Sequence, residues 1–110
     1  MKDDRFYLQT IIEMIGRIEQ ATADKDVFFD SVLHQDATLR NLHTMTETTQ
    51  RLSDDIKTAY PDIEWRTLSA FRNVLVHDYL GIDIQLIWRV ANQDVPRLKQ
   101  DIMHILQNID

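Results

Sequence analysis

Apolar residues in this chain recur every three or four positions over long stretches, and strand-like alternation bounded by turn residues is absent. Phe6, Leu8, Ile11, Ile12, Ile15 and Ile18 form the first stripe and predict a helix from about Asp4 to Ala21. Asp3 or Asp4 is expected at its start, where a carboxylate meets free backbone N–H groups and the positive end of the helix dipole. Gly16 lowers helix propensity within this pattern and is expected to mark a close approach of a neighbouring helix. Thr22 to Asp26 reads as a loop. Val27, Phe28 and Phe29 begin a second helical stretch, continued from about Asp36 to Ala59 by Leu39, Leu42, Met45, Thr49, Leu52 and Ile56. The pattern leaves open whether a break falls near Gln35. Four threonines between Thr44 and Thr49 favour helix weakly, so packing must hold that run.

Tyr60-Pro61-Asp62 is a boundary, because proline disfavours helical geometry at the residue before it. Asp62 is the expected cap of a third helix reaching about His77, with Trp65, Leu68, Phe71 and Leu75 among its packing residues. Gly81-Ile82-Asp83 ends that segment and caps the next. The last stretch carries Ile84, Ile87, Trp88 and Ala91, then Val95, Leu98, Ile102, Ile105, Leu106 and Ile109. Asp94 as a cap with Pro96 in the first turn predicts a kinked or restarted helix there. Together these elements predict an all-α, antiparallel bundle of four to five helices in a single domain over residues 1–110.

Composition narrows the chemistry. The 110 residues contain no cysteine, which excludes disulfides, Cys-based zinc sites and thiol nucleophiles and fits a reducing cytoplasm. No signal-peptide core and no run of roughly 20 apolar residues is present, so a soluble cytoplasmic protein without a membrane role is expected. Net charge is −6, and there is no basic tail or stripe. Nucleic acid would have to be held by a local arginine cluster rather than by bulk attraction, with no DNA partner expected. His34, His43 and His104 show no metal-ligand spacing, so no metal is expected at them. Trp65 and Trp88 read as core anchors with indole partners. Asp3-Asp4 and Asp54-Asp55 read as capping or solvated charges. No Gly-rich phosphate loop occurs, so nucleotide binding through a P-loop is not expected.

The informative segment is Arg72-Asn73-Val74-Leu75-Val76-His77-Asp78-Tyr79, which reads R-x4-H-x-Y. It resembles the signature of the HepT-like proteins of the HEPN superfamily. Tyr60-Pro61-Asp62-Ile63-Glu64-Trp65 resembles the family's approach to the motif helix. Gly81-Ile82-Asp83, Trp88 and Asp94-Val95-Pro96-Arg97-Leu98 resemble the segment that follows it. Residues 60–98 carry the likeness, and the remainder matches only as a generic helical pattern. One departure is visible: the family's Gly-Glu-Ala step in its second helix corresponds here to Thr46-Glu47-Thr48. The resemblance implies a HEPN-like fold and a metal-independent endoribonuclease without cofactor, acting on RNA as a homodimer. It implies the toxin half of a toxin–antitoxin pair, whose partner is a minimal nucleotidyltransferase of the MntA type. By that resemblance Arg72 and His77 are catalytic, and Tyr79 is the residue to which the antitoxin attaches AMP. The alternative within the same resemblance is a noncatalytic HEPN module that binds a nucleotidyltransferase or a nucleotide.

The residues support that chemistry independently. Cleavage of RNA by its own 2′-hydroxyl needs a proton acceptor, a proton donor and relief of extra negative charge. Histidine serves both proton roles near neutrality. Arginine stays charged and presents a planar fork to phosphate oxygens. One copy of each is sparse, and a twofold axis would double them. Arg66 and Arg89 are further candidates for the cleft. Asn73 and Asp78 are candidate supporting residues that orient the histidine or the phosphate. In a regular helix, positions five apart differ by about 140°, so Arg72 and His77 would not share a face, whereas Arg72 and Tyr79 would. The helix is therefore expected to end or shift near His77, with its ring swinging toward Arg72.

Overall fold

The computed structural model describes residues 3–109. Their elements are α1 (Asp4–Ala21), α2 (Lys25–Asp30), α3 (Val32–Gln50), α4 (Asp54–Ala59), α5 (Trp65–His77), a 3-10 turn (Tyr79–Gly81), α6 (Ile84–Arg89), a π-helical segment (Val90–Asp94) and α7 (Val95–Asn108). No strand occurs among the described residues. This is the expected all-α bundle, divided more finely because two expected helices are interrupted.

The first helix starts where its cap places it: Asp3 accepts a hydrogen bond from the Phe6 amide at 3.0 Å. Asp4 does something else. Its carboxylate accepts from the Ser53 amide at 2.9 Å and from the Ser53 hydroxyl at 2.6 Å. Ser53 Oγ in turn accepts from the Ile56 amide at 3.2 Å, which caps α4. That linkage explains why the expected helix to Ala59 breaks after Gln50. The undecided break upstream lies at Ser31, whose Oγ accepts from the His34 amide and caps α3. Asp62 is not the cap of α5; Glu64 occupies that position and makes no side-chain cap bond.

Gly16 marks no close approach, since a Cβ there would meet nothing within 4 Å. The threonine run is held as expected, by packing with local hydrogen bonds. Thr46, Thr48 and Thr49 are buried, and their hydroxyls donate to backbone carbonyls three or four residues earlier. Buried hydroxyls so paired avoid the cost of desolvation without a partner.

Pro96 lies in the first turn of α7, which starts at Val95 after the π segment, so the last stretch restarts here as expected. Lacking an N–H, Pro96 cannot donate to the carbonyl of Asn92, and the chain widens into the π segment, with the Val95 amide donating to Val90. Asp94 stays helical and makes no side-chain cap bond. Asp83, by contrast, caps α6 as expected, accepting from the Gln85 amide at 2.9 Å.

The long helices pack antiparallel in the order α7, α1, α3, α5. Arg5 of α1 reaches the carbonyl of Ile109 just past α7, and Glu19 near the other end of α1 pairs with Lys99. Asp4 meets Ser53 just beyond α3. Leu8, Ile11, Ile15 and Ile18 of α1 close on Leu42 and Met45 of α3 and on Ile102 and Ile105 of α7. Phe28 fills one end, with its ring 5.2 Å from that of Trp88. Trp65 is half-buried, and its indole N–H donates to the Tyr60 carbonyl at 3.0 Å. α5 is covered least: Leu75 is its one buried residue.

Candidate functional site

The motif occupies α5 and the turn after it. The helix stops at His77, Asp78 caps it with its amide on the Val74 carbonyl at 2.9 Å, and Tyr79 begins the 3-10 turn. Gly81 closes this turn without a left-handed backbone. Interruption at this point gives the side chains of residues 77–79 directions that a continued helix would not.

His77, Asp78 and Tyr79 line one open cleft of about 640 Å³, together with Val74, Val76, Leu80 and the chain leading to Asp83 and Leu86. Arg72 and Asn73 are not among the residues lining it. Arg66 lines a separate cleft of about 200 Å³ at the opposite end of α5, with Lys57 and Trp65, and Arg89 lines neither. The structure thus groups the histidine with the tyrosine and sets the arginine apart.

Arg72 is held instead on α3. Its Nε donates to Glu47 Oε1 at 2.6 Å, and its Nη2 pairs with the same oxygen. Nη1 donates to Asn73 Oδ1 at 3.2 Å, so Asn73 contacts the arginine. Roughly 30% exposure of the two charged side chains shields their pairing from full screening by water.

Tyr79 has its own anchor on the same helix. Its hydroxyl donates to Asp36 Oδ1 at 3.4 Å. Partial burial, the Asp36 charge and this hydrogen bond together raise the phenol above its ordinary value of 10.0. Each cause disfavours the phenolate, so Tyr79 is an –OH at neutral pH, 44% exposed and open to reagents.

In the sequence Glu47 stands out only as the glutamate of the Thr46-Glu47-Thr48 step, and Asp36 not at all. Eleven residues apart on a helix, they fall within about 20° of one face and roughly 16 Å apart along it. That register was visible, but nothing local said which face of α3 meets α5. Their partners show the consequence: Arg72 and Tyr79 sit against one face of α3, three turns apart.

Among the described residues no group of three or more His, Asp or Glu side chains is arranged to hold a metal ion, and no helix is long and apolar enough to cross a membrane.

Comparison with known proteins adds a family. Residues 9–105 match the family model described as Ribonuclease HepT-like. A protein of Thermococcus cleftensis named probable ribonuclease HepT is 33% identical over 97 residues, covering 84% of this chain and 86% of its own. A protein of Methanocaldococcus jannaschii, whose name joins a gamma-glutamylcyclotransferase to a candidate RNase, is 36% identical over 99% of this chain. The chain spans 50% of that relative's length. Another candidate RNase of the same organism is 28% identical, with 92% of this chain and 94% of its own covered. No solved structure matches.

Proposed function

The chain belongs to the HepT-like ribonuclease family, and from that premise we propose that it is the toxin of a toxin–antitoxin pair. It is a metal-independent endoribonuclease that uses Arg72 and His77 and is silenced by AMP attached to Tyr79. The observation that carries this reading is the end of α5 at His77, which leaves His77, Asp78 and Tyr79 on one open cleft.

In the proposed reaction His77 takes the proton of an RNA 2′-hydroxyl as that oxygen attacks the adjacent phosphorus. A second imidazole gives a proton to the departing 5′-oxygen. Arg72 balances the negative charge gathered on the phosphoryl oxygens. One chain supplies one such imidazole and holds its arginine outside the cleft, so the reaction calls for a homodimer in which two motif helices meet. The thin cover of α5 supports that arrangement: Val74, Val76 and Leu80 are exposed, Leu80 at 98%. Apolar surface left open on a motif helix fits contact with a second copy.

Silencing follows from the position of Tyr79 in the same cleft. AMP joined to its hydroxyl, transferred by a nucleotidyltransferase antitoxin of the MntA type, would bring bulk and negative charge to the place where RNA must enter. The protein works in the cytoplasm, where its RNA substrate and antitoxin reside.

The test is expression of the chain alone and with His77→Ala. The wild-type chain is expected to arrest growth and cut RNA in the presence of a chelator, and the variant to do neither while remaining folded and dimeric. Cleavage that persists in His77→Ala removes the reading. Intact mass after coexpression with a nucleotidyltransferase is expected to rise in AMP increments that fragment to Tyr79, and increments elsewhere refute the silencing half.

A further inference from the structure

Arg72 carries five N–H groups on a rigid plane. Three are engaged: Nε and Nη2 with one oxygen of Glu47, and Nη1 with Asn73. Two remain, one on each terminal nitrogen. A guanidinium on a flexible stem would sample many orientations, and the entropy lost on binding phosphate would fall on the reaction. Here the plane is oriented before any substrate arrives.

The anchor is itself fixed. Glu47 lies on α3 between Thr46 and Thr48, both buried, whose hydroxyls are tied to the helix backbone. α3 packs on α1 and on α5. The carboxylate therefore stands on a rigid element, while the arginine it holds stands on α5, which has little burial of its own.

We infer that Glu47 is the positioning residue for Arg72, fixing the guanidinium so that its two remaining terminal N–H groups serve the scissile phosphate. This rests on the ribonuclease reading above. Glu47 touches no reacting atom; it acts through the arginine.

The experiment compares wild type, Glu47→Gln and Glu47→Asp as full chains, by RNA cleavage kinetics and by the NMR signal of the Arg72 Nε–H. In Glu47→Gln the charged acceptor is gone. Its kcat is expected to fall about 10- to 100-fold, the scale of displaced positioning groups. Its KM for RNA is expected to stay level or drop, because one negative charge has left the surface near the arginine. The Nε–H signal is expected to lose protection from solvent exchange. Glu47→Asp keeps the carboxylate and is expected to retain the signal, with an intermediate kcat.

A purely structural ion pair would behave differently: Glu47→Gln would melt earlier, yet its folded fraction would keep the wild-type kcat. That result, or an Nε–H signal unchanged in Glu47→Gln, overturns the inference. If the wild-type chain cuts no RNA, the ribonuclease reading fails instead, and the Nε–H signal alone still decides whether Glu47 holds Arg72.

Discussion

Leu75→Ala tests how α5 is secured. Leu75 is 3% exposed and lies between Arg72 and His77 in sequence; it is the one buried residue of the motif helix. Truncation to alanine deletes three carbons, worth about 0.8 kcal/mol each in transfer, or about 2.4 kcal/mol. The cavity left behind adds to this, for a total of about 3 kcal/mol, within the usual range for buried Leu→Ala changes. A small domain has only about 5–15 kcal/mol to lose. At about 4 °C per kcal/mol near this size, melting should fall by roughly 12 °C. Circular dichroism on heating reads the total. Hydrogen exchange reads where it falls, and residues 72–79 should lose protection more than α1 or α7. Val76→Ala is the control: at 39% exposure it should cost under about 1 kcal/mol. A Leu75→Ala chain that melts no earlier than Val76→Ala refutes the claim that Leu75 is the main anchor of the motif helix.

Three further outcomes follow from the same coordinates. Ser53→Ala removes the α4 cap and the hydroxyl bond to Asp4, leaving only the amide bond to that carboxylate, so thermal melts should show a loss of about 1–2 kcal/mol; a loss within about 0.5 kcal/mol, the scatter of surface changes, contradicts the linkage. Tyr79 holds its proton to higher pH in the folded chain than in the unfolded one, so its contribution to stability is complete below the ordinary phenol value and is lost as pH rises through the folded value. Asp36→Asn should move the Tyr79 ultraviolet titration toward lower pH, and an unmoved midpoint would show that the Asp36 contact does not act on the phenol. Leu80→Asp should shift the proposed dimer toward monomer in sedimentation without lowering the monomer's melting temperature, since a residue 98% exposed contributes little to the fold of one chain; a dimer of undiminished affinity places the contact elsewhere.

Much of the fold was legible because its signals are local. The span of α1, its Asp3 cap, the Asp83 cap of α6 and the end of α5 near His77 all follow from residues within a turn or two of the feature. Asp62 misled because a proline followed by an acidic residue is only a general sign of a helix start; the chain takes two more residues of turn before Trp65. At Pro96 the interruption was legible but its form was not: loss of one hydrogen bond can be absorbed by widening a helix as well as by breaking it.

What the sequence determined by itself was the helical class, several element ends and the motif, because periodicity and capping act over a few residues and need no partner. What the tertiary structure alone decided was pairing: Glu47 with Arg72, Asp36 with Tyr79, Asp4 with Ser53. A polar residue facing a neighbouring helix reads the same in sequence as one facing water. The difference arises only when packing of the apolar faces sets the rotation and register of α3 against α5 and α1.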